Sequence, residues 1–362
     1  MQQLMIELLR QMKGLGATEL FLSKGKAPAY RINGHITNTQ SDALSHTKIS
    51  LMAHEILSQE QLEQLNHQFE LSVSHHQPGI GRYRMNLFKE RGEIAMVVRE
   101  LPEKIPTPEA LNFPAAMKKV ALLKRGLVLL VGPSGMGKST SMASLLDYRN
   151  EKTASHIITI EDPIEYVIHH KQSVVNQREI DVDAKNYSSA LKVALKQSPD
   201  VIALSDIPDQ ETLQYALSIA DSGKLCVATM NASNVRLGLD RLIALYPKNQ
   251  REQILQQLGN HIKAMLAQQI VPSKEGQRVP AYELLLISNH VTDIITRDDL
   301  DALNDIMERE DLNGMQTLDQ SLYNLFQQDK ITAETALEYA QSYRNMRLKM
   351  RISTASRSIV SQ

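Results

Sequence analysis

Residues 126–140 read Gly126-Leu-Val-Leu-Leu-Val-Gly132-Pro-Ser-Gly-Met-Gly-Lys138-Ser139-Thr140. The apolar run predicts a buried strand, and the glycine-rich turn after it matches G-x-x-x-x-G-K-[ST]. A helical pattern then continues through Tyr148. This strand–turn–helix context is the one that a phosphate-binding loop requires, and it predicts an α/β fold that binds a nucleoside triphosphate. A glycine-rich turn without a ligand is the alternative, which the coincidence of motif and context disfavours.

Each part of the loop has a predicted role. The glycines let backbone N–H groups converge on phosphate oxygens, and Lys138 can neutralise the β and γ phosphates. The Ser139 hydroxyl is placed to bind Mg²⁺. The predicted ATP-binding residues of the loop are Gly132, Pro133, Ser134, Gly135, Met136, Gly137, Lys138, Ser139 and Thr140.

Carboxylates end two further predicted strands. Glu161 ends the run His156–Glu161, and Asp206 follows the run Val201–Ser205. Ligands of α/β sheets bind at the carboxyl ends of the strands, so both side chains are candidates for the reaction. Glu161 is the candidate base that orients the attacking water, and Asp206 could hold Mg²⁺ directly or through water. Asp162 could instead cap a helix ahead of Pro163.

Bulk composition sets the limits for the whole chain. Its 362 residues, 42% of them hydrophobic and 22% charged, suffice for about two globular domains. A net charge of −1 gives no overall attraction to nucleic acid or to an anionic membrane surface. The single cysteine, Cys226, excludes a disulfide framework. We expect no signal peptide, since Glu7 lies inside the N-terminal apolar stretch and a basic leader is lacking. We expect no membrane insertion, since no apolar run approaches about 20 residues.

The pattern changes along the chain in a way that suggests distinct regions. Residues 1–100 predict a small α+β domain, and residues 101–114 hold four prolines and predict an extended linker. Residues 115–290 alternate strands with helices, residues 291–348 are helical, and residues 349–362 predict a disordered tail. The predicted strands of the α/β region are Gly126–Gly132, His156–Glu161, Val201–Ser205, Leu225–Met230 and Tyr282–Ile287.

Three motifs together resemble those of the type IV pilus retraction ATPases, the PilT/PilU family of secretion-type motors. They read Thr159-Ile-Glu-Asp-Pro-Ile-Glu165, then Pro199-Asp-Val-Ile-Ala-Leu-Ser-Asp-Ile-Pro-Asp-Gln-Glu-Thr212, then Ala228-Thr-Met-Asn-Ala-Ser233. The likeness extends over nearly the whole chain, including Gly81-Arg-Tyr-Arg-Met-Asn86. Asp147-Tyr-Arg-Asn150 looks closer to the PilU branch than to the PilT branch.

The resemblance implies a particular architecture. It implies a RecA-like ATPase core with an N-terminal PAS-like domain and a C-terminal helical region, assembled as a homo-hexamer. Arg82 and Arg84 of the first domain would help bind or sense phosphate. Alternation along one strand places both on the same face, although an ordinary solvated face is the alternative. The implied partners are an active PilT-like paralogue and an inner-membrane pilus platform protein, and the implied location is the cytoplasmic face of that membrane.

Several positions depart from the family pattern where the chemistry is expected. Asp206 stands in place of a glutamate, Pro208 in place of an arginine, and Asn231 in place of a histidine. Proline supplies no charge, and asparagine cannot take a proton near neutral pH. Lys196 replaces an arginine and Ser205 a glycine. We therefore expect ATP binding to persist and hydrolysis of ATP to ADP and phosphate to be weakened.

Two functions remain open on this basis, a slow but genuine motor ATPase and a catalytically silent ATP-binding regulatory subunit. A nucleic-acid-dependent P-loop motor is less probable from composition. The chain has no tryptophan and five phenylalanines, which provides little for stacking on bases. We expect no nucleic-acid partner.

Overall fold

The computed structural model describes residues 4–309 and 314–360. The chain divides into two compact units, Met1–Lys104 and Ile105–Gln362. This division falls inside the proline-rich segment that the sequence predicts as a linker. No helix in the described part of the chain has both the length and the apolar character needed to cross a membrane.

The first unit is an antiparallel sheet of six strands with three helices. Its strand order is β3-β2-β1-β6-β5-β4. The turn between β2 and β3 contains Asn33 and Gly34, both at positive φ, as the Asn-Gly hairpin signal predicts. The elements are α1 (Leu4–Gly14), β1 (Glu19–Leu22), β2 (Ala29–Ile32), β3 (His35–Asn38), α2 (His46–Ile56), α3 (Gln59–Gln68), β4 (Glu70–Gln77), β5 (Gly81–Glu90) and β6 (Glu93–Leu101).

Strand β5 shows the alternation that the sequence predicts for its arginines. Tyr83 and Met85 are fully buried in the core of this unit, whereas Arg82 and Arg84 lie half-buried on the other face. Arg84 Nε donates to Ser72 Oγ at 3.0 Å. The two arginines therefore share one face of the sheet.

The second unit is built on a sheet of seven strands in the order β13-β12-β7-β11-β10-β8-β9. All neighbours pair in parallel except β12 and β13, which pair antiparallel. The strands are β7 (Gly126–Val131), β8 (His156–Glu161), β9 (Val174–Glu179), β10 (Val201–Leu204), β11 (Leu225–Met230), β12 (Ile262–Pro272) and β13 (Arg278–Leu286).

Helices pack on both faces of this sheet, so its central strands are buried throughout, as continuous apolar runs predict. Every strand predicted for the α/β region is present. The sequence analysis missed β9, in which polar residues are mixed with valines, and β12. The helices of this core are α4 (Ala116–Ala121), α5 (Lys138–Lys152), α6 (Tyr187–Ala194), α7 (Gln210–Asp221), α8 (Val235–Ala244) and α9 (Arg251–His261).

The C-terminal region is helical, as predicted. It comprises α10 (Asn289–Thr296), α11 (Leu303–Arg309), α12 (Leu318–Gln327), α13 (Ala333–Tyr339) and α14 (Tyr343–Val360). Helix α14 continues through most of the segment for which serine-rich composition predicts a disordered tail. Its residues 343–360 contain neither glycine nor proline, so nothing in the backbone chemistry ends the helix earlier. The last two residues of the predicted tail lie outside the described residues.

Candidate nucleotide-binding site

The glycine-rich loop connects β7 to α5, and its glycines meet two different requirements. Gly135 and Gly137 adopt φ of 77° and 79°, a backbone conformation that residues with a side chain rarely adopt. Gly132 has no such φ, but a Cβ there would lie 2.9 Å from the Gln268 carbonyl oxygen. The loop therefore depends on glycine both for its turn and for close packing against β12.

Lys138 begins α5 and has two protein acceptors. Its Nζ donates to Asn231 Oδ1 at 2.7 Å and to the Pro133 carbonyl at 3.0 Å. Burial lowers the pKa of the Lys138 ammonium, against the opposing attraction of Asp206 and Glu165. Arg241 adds to the lowering. The cation thus lies near Asp206, one of the two carboxylates that the sequence analysis singled out.

Asn231 comes directly after β11, at the carboxyl end of the sheet. Arg241 Nη1 donates to the backbone oxygen of Asn231 at 2.7 Å, which ties α8 to this turn. Because the side chain of Asn231 also accepts a hydrogen bond from Lys138, Asn231 links the loop lysine to α8.

Glu161 is buried at the end of β8. Its Oε1 accepts from Thr159 Oγ1 at 2.6 Å and from Gln177 Nε2 at 2.9 Å. Burial raises the pKa of the Glu161 carboxyl to about 7, although these two hydrogen bonds favour the ionised form. A carboxyl group that titrates near neutral pH is suited to proton transfer at that pH.

Asp206 follows β10 and is half-buried. Burial raises its pKa, while the Ile207 N–H, Arg241 and Lys138 lower it. The Ile207 N–H donates to Oδ1 at 2.9 Å. The preceding Ser205 joins neighbouring strand ends, because its Oγ accepts from the Asp162 N–H at 2.8 Å and its carbonyl accepts from Thr229 Oγ1 at 2.6 Å. Ser205 therefore hydrogen-bonds to the residues at the ends of both neighbouring strands, and these bonds hold the backbone that carries Asp206.

Among residues 4–309 and 314–360, no group of three or more His, Cys, Asp or Glu side chains is arranged to hold a metal ion. Mg²⁺ is commonly held by one or two protein oxygens together with substrate phosphates. Ser139 in the first turn of α5 and Asp206 at the end of β10 are the residues with the donor chemistry for it.

The remaining predicted site residues belong to different units of the chain. The loop residues of the second unit surround the start of α5, with Ser134 exposed and Thr140 Oγ1 3.0 Å from the Tyr166 hydroxyl. Arg82 and Arg84 belong to the first unit, where they share a strand face. Their contact with nucleotide stays a prediction.

The sequence analysis missed the residues that support the loop from a distance. Gln268 Nε2 donates to the Met136 carbonyl, and Ser141 Oγ donates to Gln268 Oε1 at 2.7 Å. Arg278 Nη2 donates to the Gly135 carbonyl at 3.2 Å. The sequence analysis likewise assigns no role to Gln177 or Arg241. No local sequence signal identifies these roles, because each depends on strand order.

Known proteins resemble this chain over most of its length. The family described as Type II/IV secretion system protein matches residues 107–283. The type IV pilus ATPase PilU of Pseudomonas aeruginosa is 38% identical over 97% of this chain and 92% of its own length. The pilus retraction ATPase PilT of the same organism is 32% identical over 92% of this chain and 97% of its own length.

A solved structure supports the same relation. The pilus retraction motor PilT with bound ADP superposes with a TM-score of 0.88 at 35% identity, covering 94% of this chain and 98% of that one. Both units of the fold are therefore represented in a known structure that carries a nucleotide.

Proposed function

Because this chain belongs to the PilT/PilU family of type IV pilus retraction ATPases, we propose that it is an ATP-binding motor subunit of pilus retraction with weakened hydrolysis. The observation that carries the proposal is the arrangement around Lys138. The glycine-rich loop, Asp206 and Asn231 meet at the carboxyl ends of adjacent strands, where α/β sheets bind their ligands.

In this proposal each residue has a defined task. Backbone N–H groups of residues 132–140 and the Lys138 ammonium bind the phosphates. Ser139 and Asp206 would hold Mg²⁺, which would neutralise negative charge on the phosphates. Glu161 accepts a proton from the attacking water, and its raised pKa leaves it only partly ionised at neutral pH.

Two substitutions weaken the chemistry. Pro208 is exposed just before Asp209, the N-cap of α7, and carries no charge to stabilise a transition state. Asn231 is neutral at every physiological pH. Removing one preorganised electrostatic contact commonly costs on the order of 10²-fold in rate, and losses within one site are not additive. We expect nucleotide binding to depend less on the groups at positions 208 and 231 than hydrolysis does.

A second candidate function follows from the same two residues. The chain would be a catalytically silent ATP-binding subunit that acts beside an active retraction ATPase. The Lys138–Asn231 hydrogen bond favours this candidate, since the loop lysine is engaged by a residue that cannot serve as an acid or base.

The assembly and its location belong to the proposal as well. We infer a homo-hexamer on the cytoplasmic side of the inner membrane, in contact with a pilus platform protein and an active paralogue. Family membership supports this inference, and Arg82 and Arg84 would then contribute to phosphate binding within the ring.

Steady-state phosphate release by the purified, size-checked oligomer with Mg-ATP tests the proposal. Lys138→Ala and Glu161→Gln are the inactive controls, and nucleotide binding is measured in parallel. A slow turnover that both controls abolish supports the weakened motor, and binding without turnover supports the silent subunit. If no nucleotide binds, both candidates fail.

A variant that restores the residues of the family pattern tests whether positions 208 and 231 limit hydrolysis. Pro208→Arg combined with Asn231→His should raise phosphate release toward the 10²-fold scale of a recovered electrostatic contact. Pro208 is exposed, so its replacement disturbs no core packing. Unchanged turnover in a variant that binds ATP normally would contradict the idea that these two positions limit hydrolysis.

A further inference from the structure

The Lys138 ammonium has a limited number of hydrogen-bond donors. A lysine carries three N–H donors and no acceptor. Two of them are engaged by protein oxygens, Asn231 Oδ1 at 2.7 Å and the Pro133 carbonyl at 3.0 Å. One donor remains for a phosphate as long as both bonds persist.

The two acceptors differ in how readily they can be given up. Pro133 belongs to the same loop as Lys138, five residues earlier, so its carbonyl stays near the lysine in any arrangement of the loop. Asn231 comes from another strand, 93 residues away in sequence, and its backbone is fixed by Arg241. Its exposed side chain can rotate into water, which hydrates the released amide.

Resting on the proposed function, we propose that Asn231 is a positioning residue that acts through Lys138 and favours bound nucleoside diphosphate over triphosphate. A diphosphate accepts one hydrogen bond from Lys138, at the β phosphate, so both bonds from Lys138 to protein oxygens can persist. A triphosphate accepts two hydrogen bonds from Lys138, one at the β phosphate and one at the γ phosphate. Three donors cannot serve four acceptors, so the Asn231 bond is lost on binding a triphosphate.

The expected size of this preference follows from the bond that is exchanged. A hydrogen bond to a charged group contributes modestly when one partner is exposed, and its loss corresponds to about five- to tenfold in an equilibrium constant. The Asn231 bond should therefore raise the ratio of the triphosphate dissociation constant to the diphosphate dissociation constant by the same factor. A general loosening of the fold would alter both constants together and leave their ratio unchanged.

The experiment compares dissociation constants for Mg-ADP and for a Mg-bound, non-hydrolysable ATP analogue, measured by calorimetry on the full-length oligomer. Asn231→Ala removes the acceptor, and Asn231→Leu removes it while keeping the approximate side-chain size. Asn234→Ala is the matched control. Asn234 lies three residues further along, and its side chain caps α8 by accepting from the Leu237 N–H at 2.8 Å.

Both Asn231 variants should lower the ratio of the triphosphate constant to the diphosphate constant by about five- to tenfold, mainly through tighter binding of the triphosphate analogue. Asn234→Ala should leave the ratio unchanged. A ratio in both Asn231 variants equal to that of the unsubstituted protein overturns the inference. Failure of the unsubstituted protein to bind either nucleotide would instead refute the proposed function.

Discussion

Glu161 is the candidate catalytic base, and its burial has a cost in stability. It ends β8, is 5% exposed, and has a pKa raised to about 7 by burial. In the unfolded chain a glutamate ionises with an ordinary pKa near 4.5. Below that pH neither state is ionised and no penalty arises. Between about pH 4.5 and 7 the unfolded chain ionises this group while the folded state keeps its proton, so stability falls across this window and the full penalty is present above pH 7.

Glu161→Gln should therefore raise the free energy of unfolding at pH 8 by up to about 3 kcal/mol relative to the unsubstituted protein. The amide oxygen of the replacement can still accept from Thr159 and Gln177. The gain should shrink as the pH falls and vanish below about pH 4.5, which urea unfolding followed by circular dichroism at several pH values would measure.

Glu338→Gln on the exposed face of α13 is the control, and it should change stability by less than about 0.5 kcal/mol at every pH. A Glu161 variant that is no more stable than the unsubstituted protein at pH 8 would show that burial does not penalise this charge.

At the scale of elements, one side chain fixes the segment between β8 and β9 to helix α5. Asn150 is fully buried near the end of α5. Its Nδ2 donates to the His169 carbonyl at 2.7 Å, and its Oδ1 accepts from the N–H groups of Lys171 at 3.1 Å and Ser173 at 3.2 Å. This amide replaces the regular backbone pairing that an irregular segment lacks.

Asn150→Ala should lower the free energy of unfolding by about 2–4 kcal/mol, because three backbone groups lose their partner in a buried place. Thermal unfolding monitored by circular dichroism would measure it. Asn260→Ala near the end of α9 removes an exposed asparagine side chain and serves as the matched control, with an expected change within about 0.5 kcal/mol. Equal effects of the two substitutions would refute the anchoring role of Asn150.

At the scale of the whole molecule, the two units have separate hydrophobic cores. One core lies within residues 5–98, and the two cores on the faces of the seven-stranded sheet lie within residues 117–315. Each unit is long enough to bury a core of its own.

We therefore expect residues 1–104 and 105–362 to fold when expressed separately. Each fragment should show a cooperative urea transition, and the second should retain nucleotide binding through the loop at residues 132–140. An unstructured second fragment, judged by circular dichroism, would contradict the independence of its core. Loss of hexamer formation by that fragment, with folding intact, would assign a role in assembly to the first unit.

The sequence by itself determined the features that depend on neighbouring residues. The glycine-rich loop, its preceding strand and its following helix form a contiguous pattern whose backbone requirements are local. The alternation along β5 that puts Arg82 and Arg84 on one face is equally local. The fold class followed from the same patterns, because apolar runs alternating with helices have few ways to bury both faces of a sheet.

Only the tertiary structure decided which distant residues complete the site. The order β12-β7-β11-β10-β8-β9 brings the strand ends together. It places Asn231 in contact with Lys138, Gln177 in contact with Glu161 and Gln268 next to Gly132. These partners lie 93, 16 and more than 100 residues apart in the chain. Local propensity carries no information about such pairs, since strand order and register set them. The hydrogen bond between Asn231 and Lys138 therefore became visible only in the tertiary structure.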